Sequence, residues 1–363
     1  SAIHNLKLRA SYGQFGNDRI PPYQYLQGYK FGSGAVIGSD YQLGVTDWVV
    51  ANPRTTWETA TNLDLGLDFS FLKGTISGEL TYFYKKTKDI LVTREASVPS
   101  SFGGVLPSEN LGKVDNKGIE AILRYTNKIG DVSFNVEGNL TWVKNKVIYI
   151  DEPEGRLPHQ KAEGRPIGQF YGYKALGLFQ NQAEISEWAM QDGSGNVNIK
   201  PGDIKYEDIS GPDGVPDGVI DVHDQQFVGK SDIPEFIFGL NLSASYKGFD
   251  FTMNFQGATG FDQYLRWDPF NQESNALAIF KNSWSEANPS ARYPRLSTGV
   301  IENNRKNSSF WLHDGTYLKL RNAELAYTFK KYDFFKKVGV EGLRVFVSGN
   351  NLLTFSKIKD FDP

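Results

Sequence analysis

The 363-residue chain contains no cysteine, which removes disulfides, thiolate metal sites and cysteine nucleophiles together. It also has no uninterrupted apolar run long enough for a membrane-spanning helix, and its mean hydropathy is -0.42. A helical membrane protein is therefore excluded. A β-barrel is not, because strand alternation hides the lipid-facing half of each strand behind a polar partner. A large excess of one charge is absent too: the formal net charge of -3 offers no general basic field, which argues against nucleic acid as a partner. The four histidines, His4, His159, His223 and His313, show no metal-ligand spacing and read as surface or packed residues. No nucleophile motif or phosphate-binding glycine loop is found, the glycines being scattered through strands and turns.

What is present is alternation of period two over long stretches. In Phe236 to Tyr246 the residues Phe236, Phe238, Leu240, Leu242, Ala244 and Tyr246 share one face. After a Lys247-Gly248 turn, Phe249, Phe251, Met253 and Phe255 resume it against Asp250, Thr252, Asn254 and Gln256. Each arm is about ten residues, longer than the usual globular strand and close to what a tilted strand needs to cross a bilayer. Two more hairpins repeat the plan. One sets Leu63, Leu65, Leu67, Phe69 and Phe71 before a Lys73-Gly74 turn and Ile76, Gly78, Leu80, Tyr82 and Tyr84 after it. The other joins Ile119, Ala121, Leu123 and Tyr125 to Val132, Phe134, Val136, Leu140 and Trp142 through a turn around Asn127 to Asp131.

Leu6, Leu8, Ala10 and Tyr12 mark a strand before them, and Leu343, Val345 and Val347 one near the end. Between Tyr317 and Phe329 the apolar phase changes, which predicts a bulge near Arg321 and Asn322. Loops are expected from Gly13 to about Pro53, Lys85 to Lys117, Lys144 to Ile233 and Ala258 to Gly315, the third being too long for a simple connection and hence partly structured. Short turns within hairpins and long loops between them suit an outer-membrane barrel with short periplasmic turns. Aromatics make up 14% of the chain and gather near strand ends, as interfacial girdles do. The alternative is a water-soluble β-sandwich whose apolar faces form a core.

Several stretches resemble SusC-like, TonB-dependent outer-membrane transporters, and in that family's order. They are NPRTTWETATNLDLGLDFSFLKG (52–74), EGRPIGQFYGYKALGLF (163–179), GDIKYEDI (202–209), FVGKSDIPEFIFGLNLSASYKGFDFTMNFQG (227–257), DGTYLKLRNAELAYTF (314–329) and RVFVSGNNLLTF (344–355). The resemblance implies an all-β fold, an antiparallel transmembrane β-barrel portion with long extracellular loops: about ten strands of a larger barrel of the roughly 22-stranded type. Residues 1–363 would be the C-terminal part of that barrel, with the plug domain upstream of Ser1 and one more closing strand after Pro363. A targeting signal would be absent or lie upstream.

The family's role implies import of a large nutrient, an oligosaccharide or a peptide. The partners implied are a SusD-like lipoprotein lid, the TonB complex reached through the plug, and outer-membrane lipid. The location implied is the outer membrane of a Gram-negative bacterium, and the role is not enzymatic. The second reading, from a different class, is a secreted, calcium-dependent carbohydrate-binding or carbohydrate-cleaving β-sandwich.

Candidate site residues fall in the loops. Trp48, Tyr171, Tyr173, Trp188, Trp267 and Trp284, with Tyr264 and Trp311, offer rings for stacking on sugars, or pack within the loops or against the lid. DGVPDGVIDVHD fits a twelve-residue calcium loop with Asp213 at position 1, Asp217 at 5, Gly218 at 6, the Val219 carbonyl at 7, Asp221 at 9 and Asp224 at 12. Against Ca²⁺ stand Val215 at position 3 and an aspartate where a bidentate glutamate is expected. Asp208 or Ser210 would fill the gap if 211–216 is an insertion, and an Asp/Gly turn cluster is the other reading. Apart from that possible Ca²⁺, no cofactor is implied. Lys85, Lys86 and Lys88 on the long-loop side suit anionic headgroups or solvent. Glu152 and Glu154 flank a proline, and the carboxyl separation that a glycosidase pair would need is not fixed by sequence.

Overall fold

The computed structural model describes residues 3–20, 22–23, 25–49, 51–94, 106–266, 277–330 and 342–362. They form two compact units, residues 1–156 with 161–167, and residues 157–160 with 168–363.

The first unit contains β1 (Ile3–Asn17), β2 (Gly28–Ile37), β3 (Asp40–Val49), β4 (Glu58–Phe71), β5 (Ile76–Thr93), β6 (Ser108–Ile129) and β7 (Val132–Tyr149). Antiparallel pairing runs β1-β4-β5-β6-β7, and β2 pairs with β3 as a separate hairpin. Apolar residues line up across the strands: Leu8, Leu67, Leu80, Ala121 and Leu140 form one lateral row. The next row is Ala10, Leu65, Tyr82, Ile119 and Trp142. The opposite face carries cross-strand polar pairs. Arg9 Nε and Nη2 donate to Asp68 at 2.9 and 2.7 Å, Ser11 to Asp64 at 3.1 Å, and Arg124 Nε to Glu137 at 2.7 Å.

Turn chemistry closes the hairpins. Between β4 and β5 a 3-10 turn, Leu72–Gly74, puts Lys73 at φ 59° and Gly74 at φ +95°. A Cβ at Gly78 would stand 2.7 Å from the Ile122 carbonyl oxygen and 2.5 Å from the Phe69 ring, so only glycine fits there.

The second unit contains β8 (Gln169–Tyr173), β9 (Ala175–Leu178), β10 (Ile204–Tyr206), β11 (Gln225–Ser231), β12 (Phe236–Tyr246), β13 (Phe249–Thr259), β14 (Asp262–Tyr264), β15 (Leu312–Asp314), β16 (Tyr317–Lys330) and β17 (Gly342–Ser356). Among the described residues it also has two short helices, α1 (Gln182–Ser186) and α2 (Glu302–Arg305). The long strands pair antiparallel in the order β12-β13-β16-β17. The expected Lys247-Gly248 turn is present, with both residues at positive φ. The expected bulge is also present: the register slips at Arg321 on both of its neighbours, which reconciles the two apolar phases of β16.

In both units the apolar faces of the long strands are open. Leu8 is 81% exposed, Leu65 47% and Val347 77%. These faces therefore do not pack into a sandwich core, and that alternative is set aside. The loop boundaries also need correction. The expected loop from Gly13 to Pro53 contains the end of β1 and the β2–β3 hairpin, and the expected loop from Lys85 to Lys117 shrinks, because β5 runs to Thr93 and β6 starts at Ser108. Alternation fades in those stretches, but a ladder of backbone hydrogen bonds needs no apolar partner. Lys85, Lys86 and Lys88 accordingly lie on β5, with Lys85 over the Phe15 ring (5.4 Å) and Lys86 over Tyr84 (5.1 Å). The turn expected around Asn127 to Asp131 tightens to Gly130 and Asp131.

Candidate functional site: a folded loop module

The longest connections in the second unit fold into a module of their own. β8 pairs with β11, β9 with β10, and β14 with β15, each too short to stand alone. What holds them is a core of Tyr173, Ile204, Tyr206, Ile220, Phe280, Tyr293 and Trp311. A smaller core joins Phe179, Ile185 and Ile199, with Trp188 packed against it. On β10, Ile204 and Tyr206 point inward, while Lys205 on the other face bonds Glu184 at 2.7 Å and lies 3.6 Å from the Trp188 ring centre. Helix α1 is capped by Asn181, whose side chain accepts from the Glu184 amide at 2.9 Å.

Buried polar groups stitch distant segments together. Asp203 is fully buried, and it accepts from Arg295 Nη2 (3.1 Å), Asn304 Nδ2 (2.9 Å) and the Lys200 amide (2.9 Å). Gln191 donates to the Ile204 carbonyl at 2.9 Å and accepts from the Tyr206 amide at 2.9 Å, while the Tyr206 hydroxyl donates to the Asn303 carbonyl at 2.6 Å. Burial pushes the Tyr206 phenol far above its ordinary range. Lys306 Nζ donates to the Gln191 carbonyl at 2.7 Å and sits over the rings of Tyr173 and Tyr206. Burial lowers its pKa, with Asp192 and Asp224 opposing the shift. None of this network carried a sequence signal, since single polar residues far apart in the chain form no period or motif.

The aromatic candidates divide by environment. Tyr173 and Trp311 are core residues, 8% and 3% exposed, and present no free ring face. Trp188 donates its indole N–H to the Tyr206 carbonyl (2.9 Å), and Trp284 donates to Gln180 Oε1 (3.2 Å). Tyr171 meets Phe227 edge-on at 5.1 Å, and Tyr264 stacks on Phe170 at 4.6 Å. These contacts correspond to packing within the loops. The side chain of Trp48 and the whole of Trp267 lie outside the described residues.

The aspartates of 213–224 do not converge. Asp224 accepts from the amides of Ile209 (2.7 Å), Ser210 (3.1 Å) and Asp221 (2.8 Å); Asp221 accepts from the His223 amide (2.8 Å), and Asp217 from Val219 (3.0 Å). Asp208 accepts from the Gly218 amide at 2.7 Å, Asp213 is exposed, and Val219 bridges to Met190. Burial raises the Asp224 pKa against the pull of its three amides, Asp208 adding to the rise. Among the described residues no three His, Asp or Glu side chains are grouped to hold a metal ion.

His159 meets the His223 carbonyl at 2.8 Å, and Arg292 Nη2 lies 3.1 Å from His313 Nδ1. A guanidinium can only donate, so that nitrogen accepts. Glu152 is taken up by Arg156 (3.1 Å) and the Ala162 amide (2.8 Å), while Glu154 is exposed. Taken together, the module is a folded unit held by two apolar cores and a buried polar network.

Residues 1–352 match the sequence model of a family described as TonB dependent receptor-like, beta-barrel. TonB-dependent receptor P26 of Formosa agariphila is 32% identical over 377 residues, an alignment covering 99% of this chain and 36% of that protein. TonB-dependent receptor SusC of Bacteroides thetaiotaomicron is 24% identical, with 100% of this chain and 35% of that protein covered. The chain thus spans about a third of the length of these relatives. Among solved structures, the RagAB peptide importer in its open-open state superposes with a TM-score of 0.73 at 21% identity, over 99% of this chain and 37% of that one. This last likeness concerns the fold.

Proposed function

This chain belongs to the TonB-dependent receptor-like β-barrel family, and from that premise we propose that it forms part of the wall of an outer-membrane importer of a Gram-negative bacterium. The observation that carries the reading is the exposure of the apolar strand faces. The rows through Leu8 and Leu65 offer lipid a continuous apolar surface, while ion-paired residues such as Arg9 and Asp68 occupy the other face. This is the division expected of a barrel wall between lipid and a polar lumen.

In this reading the cargo is a large nutrient. An oligosaccharide is one candidate class and a peptide the other, the latter because RagAB is a peptide importer by name. A SusD-like lipoprotein serves as the lid over the long-loop side, where the module stands. The TonB complex energises the cycle through a plug, and the chain itself has no catalytic role. The module's packing supports a platform for the lid and cargo rather than single stacking residues.

The test is fractionation of the full-length protein from its native envelope with and without detergent, followed by mass spectrometry of what co-purifies. Extraction only by detergent, together with a surface lipoprotein, is the expected result. Release into the soluble fraction with no partner would overturn the proposal.

A further inference from the structure

Residues 357–362, which follow β17, lie along the loop module and are fastened to it and to β16 at several points. Lys357 Nζ reaches Asp314 Oδ2 at 2.8 Å, and Ile358 is 5% exposed. Asp360 Oδ2 accepts from Arg292 Nη1 at 3.3 Å and from the Tyr293 hydroxyl at 3.2 Å. Asp362 pairs with Lys319 Nζ at 2.8 Å.

We propose that this segment is a strap that holds residues 278–297 down over the aromatic core of the module, with Asp360 as its latch. Residues 278–297 need such a hold. Apart from a 3-10 turn at Ala278–Asn282 they have no helix or strand, and several of their backbone bonds are internal, Trp284 N to the Tyr293 carbonyl (2.8 Å) and Tyr293 N to the Asn282 carbonyl (3.1 Å) among them. Further along, Arg295 anchors the segment to Gly202 (2.9 Å) and Asp203.

Tyr293 is the residue through which the strap acts. Its ring is buried edge-on against Phe280 at 5.8 Å, and its hydroxyl is the group that Asp360 grips. The neighbouring Arg292 bonds Asp360 through one nitrogen and His313 through another, so the latch also reaches β15. Because β17 runs directly into the strap, a shift of the strand end pulls on Tyr293. Through Tyr293 it loosens the cover over Tyr173, Tyr206 and Trp311. Of these, Tyr173 and Trp311 are rings that the sequence marks for stacking, and in this proposal the strap is the element whose release would uncover them.

Hydrogen exchange with mass spectrometry on the full-length protein in lipid nanodiscs tests this. Asp360→Ala should speed exchange of amides in 278–297 about ten- to hundredfold, the effect of losing a charge-assisted latch, while residues 236–259 keep their rates. Asp360→Asn retains an acceptor for Tyr293 and should give a smaller change. Arg292→Gln provides the same readout should Asp360→Ala fail to assemble. Unchanged exchange in 278–297 would overturn the proposal. So would equal acceleration in 236–259, because Asp360 would then support the whole unit rather than one flap. The measurement uses neither cargo nor uptake, so the strap can fail while the importer reading stands.

Discussion

Asn322 on β16 donates its side-chain N–H to the carboxamide oxygen of Asn350 on β17 at 2.9 Å. The pair belongs to a lateral row of four, because Asn241 faces Asn254, Asn254 faces Asn322 and Asn322 faces Asn350 across β12, β13, β16 and β17. Asn254 likewise donates to Asn241. The row lies beside the Arg321 bulge, where the ladder slips, so side-chain bonds secure the register where backbone pairing is weakest. Asn322→Ala should cost about 1 kcal/mol, the net worth of one hydrogen bond, and should broaden the unfolding transition of the second unit. Denaturant unfolding followed by tryptophan fluorescence reads the change.

Leu65 stands in the middle of β4 on the exposed apolar face, between Ala10 and Tyr82. Leu65→Arg should cost roughly 2 to 4 kcal/mol if that face meets lipid at mid-bilayer, and should impair membrane assembly of the full-length protein. Intact assembly would show that this face does not meet lipid.

The buried ion pair of Asp203 with Arg295 links the turn after Lys200 to the irregular segment that ends near Arg295. Arg295→Met leaves Asp203 buried beside Asn304 without its cation, a change that costs about 3 to 5 kcal/mol. Limited proteolysis should then cut within 180–210 while the long strands stay protected. Equal resistance in wild type and variant would refute the assignment.

Asp224 satisfies three amides, and Asp224→Ala leaves them without their acceptor. The expected loss is about 1 to 3 kcal/mol, and the thermal midpoint of the module should fall whether or not calcium is present. Asp217→Ala and Asp221→Ala, by contrast, should leave Ca²⁺ titrations of the full-length protein unchanged if these side chains serve only their turns. A calorimetric ion-binding signal lost in those variants would restore the calcium loop.

His313 is held neutral by burial and by the Arg292 guanidinium, which outweigh the opposite pull of Asp360 and of the Leu265 backbone. Its folded pKa lies below the unfolded value of about 6.5, so the folded form binds fewer protons. Stability should therefore fall as pH drops from about 6.5 toward the folded value, and His313→Gln should flatten that slope. Thermal unfolding between pH 5 and 8 measures it, and an unchanged slope in the variant would exclude His313 as the source.

Period two is a local property, set by how successive Cβ atoms alternate across a strand. For that reason the faces of β4, β12 and β13, the Lys73-Gly74 and Lys247-Gly248 turns and the slip at Arg321 could all be read from the chain alone. The strand extensions through Lys86 and Lys88 could not, because pairing there rests on backbone groups that every residue carries. The tertiary structure alone decided what the loops do with their side chains. Tyr173 and Trp311 look like stacking residues in a list of loop aromatics, yet segments more than a hundred residues apart fold over them. Asp213 to Asp224 has nearly the spacing of an ion loop, yet Asp217 and Asp221 bind amides of their own turns and Asp224 binds the amides of Ile209 and Ser210, since the reach of a short side chain depends on backbone angles that spacing does not encode. The asparagine row and the strap at Asp360 are likewise meetings of residues distant in sequence, and only strand register and chain reversal bring them together.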